Sequence, residues 1–187
     1  MKYIAKGMVV KASTEDMLHV TRCGCDFQLT GIQADLWLNG RFGFSEIKEK
    51  DFVAAKELLQ LKRQELVELA DADDAGEYRA LTQCVIVPAR PKGGAILTSR
   101  EKELLKWIVR AGPRLSMAEL TFLLEKRIAP SENWLGEENR QALTEAIYTQ
   151  ETIFDNVLEA QMEHAQSRDV AVGAVLSLLK KKRIILL

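Results

Sequence analysis

The sequence predicts an α+β protein, predominantly helical, built as two small domains of similar length. Three observations carry that reading. Near the midpoint of 187 residues stands Pro88-Ala89-Arg90-Pro91-Lys92-Gly93-Gly94, where two prolines reject helix and two glycines loosen the chain. Ahead of it, stretches alternating at period two are interleaved with helical patterns. Behind it, two capping-box signatures open long helical runs. The domains are therefore expected at 1–89 and 95–187, joined by a linker at 90–94.

The first domain opens with strand patterns at 6–12, 17–21 and 26–29. A short helix is predicted over 30–39, with Gly40 placed where a helix tends to end. Asp51 is a good N-cap for a longer helix, whose inner face is expected to carry Phe52, Ala55, Leu58, Leu59 and the stem of Lys62. Residues 65–69 then alternate at period two. The acidic turn Asp71-Ala72-Asp73-Asp74-Ala75-Gly76 is expected to reverse the chain, so that 78–87 returns as the second strand of a β-hairpin. That turn is no calcium loop: Ala75 and Thr82 stand where an EF-hand needs an oxygen ligand and a bidentate glutamate.

The second domain is expected to be mostly helical. Thr98-Ser99-Arg100-Glu101 and Ser116-Met117-Ala118-Glu119 are capping boxes for helices at 99–111 and 117–127. A loop through Pro130 and Trp134 leads to helices near 136–149 and 152–166. The last helix, 168–182, is apolar nearly all round and runs into the terminal strand 183–187. Such a helix is buried, either in the domain's own core or across a homodimer interface.

Strand, helix, connection, helix and hairpin is the order of a winged helix-turn-helix. The segment from Leu58 to Leu69 resembles the passage from recognition helix into wing in that superfamily, over roughly 30–87. The capped helices at 104–108 and 120–124 resemble the first two helices of a second, modified copy, although its loop is long and no second wing strand is visible. The resemblance implies a DNA-binding protein such as a transcriptional regulator. Its outward recognition face would be Lys56, Gln60 and Arg63, with a further stripe of Lys102, Lys106 and Arg110 touching phosphates.

Charge argues against that implication. The net charge is −1, with 13 basic and 14 acidic residues over 1–92 and 13 of each over 93–187. Proteins that live on nucleic acid usually carry a basic excess. Asp71, Asp73, Asp74 and Glu77 would also repel phosphates from a wing tip, and Glu101 and Glu103 flank the second stripe. The alternative is therefore a protein-interaction or assembly module on the same scaffold, which fold alone does not separate from a DNA binder.

The run Lys180-Lys181-Lys182-Arg183 ends a helix, where cations suit the macrodipole without any ligand. Cys23 and Cys25 on one strand would share a face near His19, but the spacing matches no zinc module, so half-buried structural thiols are expected and no metal or cofactor. The two histidines, His19 and His164, stand in no nucleophile, phosphate-loop or metalloprotease motif, and no enzyme is expected. An odd cysteine count and the lack of a signal-peptide core or a spanning apolar run imply a soluble, cytoplasmic chain.

Overall fold

The computed structural model describes residues 1–10, 14, 17–48, 50–89, 94–111, 115–125 and 165–187. The helices expected at 136–149 and over most of 152–166 lie outside the described residues, as do Arg114, His164 and most of the linker. What is described is α+β, with three small sheets and six helices. Among the described residues no helix is long and apolar enough to cross a membrane.

Strand β1 (Lys2–Ala5) is the wall on which the molecule is built. It lies antiparallel between β5 (Ser45–Glu46) and β6 (Val67–Ala70), with Ile4 opposite Glu68 and Ala5 opposite Val67. Alternation sends its side chains to two different cores. Tyr3 and Ala5 pack with Leu36, Trp37, Leu58 and Leu61 on one side, while Ile4 packs with Tyr78, Leu81 and the C-terminal helices on the other. The expected strand over 6–12 is broken because Gly7 takes φ +108°, a conformation that favours glycine. Its N–H turns instead to the carbonyl of Leu186 at 2.7 Å. Beyond it, β2 (Met8–Val9), β3 (Leu18–Arg22) and β4 (Cys25–Leu29) form an antiparallel meander that contributes Leu18, Val20 and Leu29 to the first core.

Helices α1 (Gly31–Gly40) and α2 (Phe52–Arg63) cover the Tyr3 face of the sheet. Buried hydrogen bonds fasten α1 to β1. Tyr3 donates its hydroxyl to the carbonyl of Leu36 and Trp37 donates Nε1 to that of Lys6, both at 2.9 Å. The helix ends at Gly40, as expected, but without a left-handed turn. Gly40 is itself helical, and a Cβ there would lie 2.8 Å from the Tyr3 ring and 3.1 Å from the Ala5 nitrogen. The glycine is required by close approach of helix to strand.

The expected hairpin does not form. After β6 the acidic turn leads into helix α3 (Gly76–Thr82), and only then into β7 (Ile86–Pro88). Gly76 allows this tight entry, since a Cβ would meet the Asp71 carbonyl oxygen at 2.2 Å. Arg79 on α3 draws the turn back by pairing with Asp71 at 3.0 Å and Asp73 at 2.6 Å. β6 pairs with β1, and β7 pairs with β8 (Ile184–Leu186) at the far end of the chain. Packing therefore passes from the first core to the second between Val67 and Tyr78, ahead of the 90–94 linker. The terminal strand β8 thus takes its partner from ahead of the linker.

That second core gathers α3, α4 (Ser99–Ala111), α5 (Met117–Glu125) and α6 (Ala165–Lys180) around Leu104, Trp107, Ile108, Val175 and Leu178. Both capping boxes form. The Thr98 amide donates to Glu101 Oε2 at 2.6 Å and the Glu101 amide to Thr98 Oγ1 at 3.2 Å. The corresponding distances for Ser116 and Glu119 are 2.7 and 3.2 Å. Ala171, Val172, Ala174, Val175, Leu178 and Leu179 of α6 are buried within the chain itself. Burial in the domain's own core is one of the two placements expected for this helix.

Candidate interaction surface on helix α2

Asp51 caps α2 as expected, its carboxylate accepting from the Ala54 amide at 3.0 Å. The cap fixes where the helix starts, but not which face it buries. Ala54, Leu58 and Leu61 turn inward onto α1 and β6. Phe52 and Leu59 do not join them, contrary to the sequence expectation; they are 81% and 44% exposed. Lys62 sends its ammonium to Glu68, which also accepts from buried Lys6 at 3.0 Å. That polar demand, with Leu61 filling the core, turns the helix away from the expected face.

The outward face is a single ordered stripe. Phe52, Lys56, Leu59 and Arg63 follow one another at intervals of four, three and four residues, so they align along the axis. With Ala55 and Gln60 they line a shallow depression, and Val53 beside it is 58% exposed. The expected trio Lys56, Gln60 and Arg63 is therefore brought together and exposed, but interleaved with apolar side chains. The stripe carries no carboxylate. Glu57, the acid of α2, is turned aside and accepts from Gln33 of α1 at 2.7 Å.

The chain matches no protein-family model, no curated protein and no solved structure. Its geometry is accordingly the ground for any functional reading.

On α4, Lys102, Lys106 and Arg110 are all exposed on one side, with Val109, 58% exposed, next to them. Glu101 does not cancel this stripe as expected, because it is buried and engaged elsewhere. It accepts from Ser177 Oγ at 2.5 Å and from Lys181 Nζ at 2.6 and 2.7 Å. Burial pushes its pKa up, but the hydrogen bonds from Lys181, Ser177 and the Thr98 amide together outweigh it and hold the carboxyl at about 2. α4 packs on α6, β7 and α5, whereas α2 packs on α1 and β6, so the two basic stripes rise from different cores.

The acidic residues that were to tip a wing sit around α3 instead. Arg79 holds the Asp73 carboxyl below its ordinary range, and Glu77 pairs with Lys2 at 2.5 Å. Cys23 and Cys25 do not share a strand: Cys23 and Gly24, both at positive φ, are the turn between β3 and β4, and both thiols are exposed. His19 lies on β3 opposite Gln28. Among the described residues no three His, Cys, Asp or Glu side chains gather as a metal site. Cys84 is buried, which pushes its thiol up to about 12 and makes it unreactive as a nucleophile.

Proposed function

We propose that this chain is a non-catalytic protein-interaction module that receives an acidic, apolar-anchored helical segment of a partner on the outward stripe of α2. The observation that carries this is the stripe itself: Phe52 and Leu59 alternate with Lys56 and Arg63, with no acid among them. Burying a Phe and a Leu side chain is worth about 1.5–3 kcal/mol each. Two such anchors flanked by cations suit the apolar ridge of an amphipathic helix bordered by Glu or Asp. A major-groove reader would instead present polar side chains at those positions and add phosphate contacts from a neighbouring hairpin. The free thiols fit a reducing compartment such as the cytoplasm.

The test uses a labelled synthetic helical peptide of leucines on one face and glutamates on the others, and in parallel a labelled mixed-sequence DNA duplex. Fluorescence anisotropy on the full chain is expected to show peptide binding that Phe52→Ser weakens at least about fivefold. Duplex binding that falls log-linearly with salt, by about 0.9 per phosphate neutralised, and that ignores Phe52→Ser would establish the DNA reading instead.

A further inference from the structure

A cleft of about 630 Å³ opens between the β1–β2 junction, the end of α1 and the C-terminal strand β8. Its walls combine apolar side chains, including Ala5, Met8, Leu179, Ile184 and Leu186, with the cations Arg41, Lys181, Lys182 and Arg183, and among the described residues no carboxylate side chain lines it. Two of these cations, distant in sequence, meet on one ring of its lining. The Arg41 guanidinium lies 4.8 Å and the Lys182 ammonium 5.1 Å from the centre of Phe42. Arg41 also lies 5.6 Å from the Trp37 ring. Among the described residues Arg41 and Lys182 have no carboxylate partner, and burial lowers the Arg41 pKa.

The backbone at Lys182 is left-handed. α6 ends with the Lys182 amide on the Leu179 carbonyl and the Arg183 amide on that of Leu178, both at 2.9 Å, a closure that places Lys182 at φ +57°. Glycine is the residue that takes this position without strain, and here a lysine occupies it, as Glu65 does at φ +59° in the like closure of α2. Lys181, which also lines the cleft, is paired with Glu101, whereas Lys182 has no carboxylate partner among the described residues.

We propose that this cleft is a binding site for a small amphipathic anion, a carboxylate or phosphate carried on an apolar body, with Arg41 and Lys182 holding the anionic head and the β8 wall covering the body. The volume is that of sites for molecules of drug or cofactor size. A head group without its apolar body would leave the walls uncovered. An apolar body without its charge would leave the two cations uncompensated. The site shares no residue with the α2 stripe, so the two proposals stand or fall separately.

The experiment is displacement of 1-anilinonaphthalene-8-sulfonate from the full chain, followed by fluorescence, with decanoate, decyl phosphate, decanol and inorganic phosphate as competitors. Decanoate and decyl phosphate are expected to displace the dye at least tenfold more effectively than decanol, and inorganic phosphate not to displace it. Sedimentation with phosphatidic acid vesicles separates a membrane headgroup from a free ligand: the concave site predicts competition by decanoate and no co-sedimentation. Co-sedimentation that decanoate leaves unchanged would overturn the site. Lys182→Gly is the decisive variant, because it relieves the left-handed lysine. It should melt at or above the wild-type temperature yet lose at least tenfold in decanoate affinity, as should Arg41→Gln, while Lys180→Gln binds as wild type. Unchanged affinity in Lys182→Gly, equal loss in Lys180→Gln, or decanol competing as well as decanoate would each refute the proposal.

Discussion

Replacing Glu101 with alanine removes a group that does two things at once. It closes the first turn of α4 by accepting from the Thr98 amide, and it clamps that turn to the end of α6 through Ser177 and Lys181. Loss of a helix cap costs about 1 kcal/mol. Breaking a buried ion pair costs about 3–5 kcal/mol when the abandoned charge stays buried. Lys181 is 29% exposed, so its ammonium can turn to water and the lower end applies. The total is about 3–4 kcal/mol for Glu101→Ala. Glu101→Gln keeps the acceptor and loses only the charge, at about half that cost. Urea unfolding followed by the fluorescence of Trp107, buried on the same helix, would read the alanine change as a midpoint lowered by about 1–2 M, taking a slope of about 2–3 kcal/mol/M. The same carboxyl sets an acid dependence. Its folded pKa of about 2 lies below the ordinary 4.5, so the unfolded chain takes up the proton first as pH falls. The stabilisation is complete above about pH 4.5 and is lost as pH falls toward 2. The gap between wild type and Glu101→Gln should close over that window. An alanine variant within about 0.3 M of wild type, or a gap independent of pH there, would refute the reasoning.

Three further substitutions probe the first core and the ion pairs beside it by thermal or urea melts. Gly40→Ala sets two effects against each other: helix propensity favours alanine by about 1 kcal/mol, whereas the new Cβ strikes a Tyr3 ring that its own hydroxyl bond holds in place. Overpacking at about 1–3 kcal/mol should win, and a stabilised variant would show that the helix can lift off the strand. Glu68→Ala strands Lys6, 3% exposed, without its partner, and should cost about 3–5 kcal/mol. Glu65→Ala, whose side chain is 67% exposed and paired with Arg22, should shift the melt far less; equal losses would mean the buried pair has no special weight.

What could be read from the sequence was mainly local. The Asp51 cap and both capping boxes involve groups three residues apart, so their chemistry is complete within the motif. The class α+β followed from the same signals. What escaped was non-local. β6 finds its partner in β1, more than sixty residues earlier, and β7 finds its partner in β8, almost a hundred residues later. Period-two alternation says that a strand exists but not what it pairs with, and the nearest strand was an attractive wrong answer. Within 76–82 the run Glu77-Tyr78-Arg79-Ala80-Leu81 is also good helix sequence, and that signal outweighed the turn before it. The face of α2 was misjudged for a different reason. The helix carries two apolar stripes, and pattern alone does not say which one the core takes. The informative mark was the placement of Lys56 and Arg63 in line with Phe52 and Leu59, since two cations on a buried stripe are costly. Lys182 left no such mark, because its role depends on a ring 140 residues away in sequence.

The most direct test of the α2 stripe is a charge swap across it. Lys56→Glu with Arg63→Glu should leave the melting temperature near wild type, since both side chains are exposed. Binding of the leucine–glutamate helical peptide should fall by about tenfold, from the loss of two exposed attractions and the gain of two repulsions. The same peptide with lysine in place of glutamate should then bind the double variant and not the wild type. Retention of the acidic peptide by the double variant, or binding of the basic peptide equally by both proteins, would contradict the account.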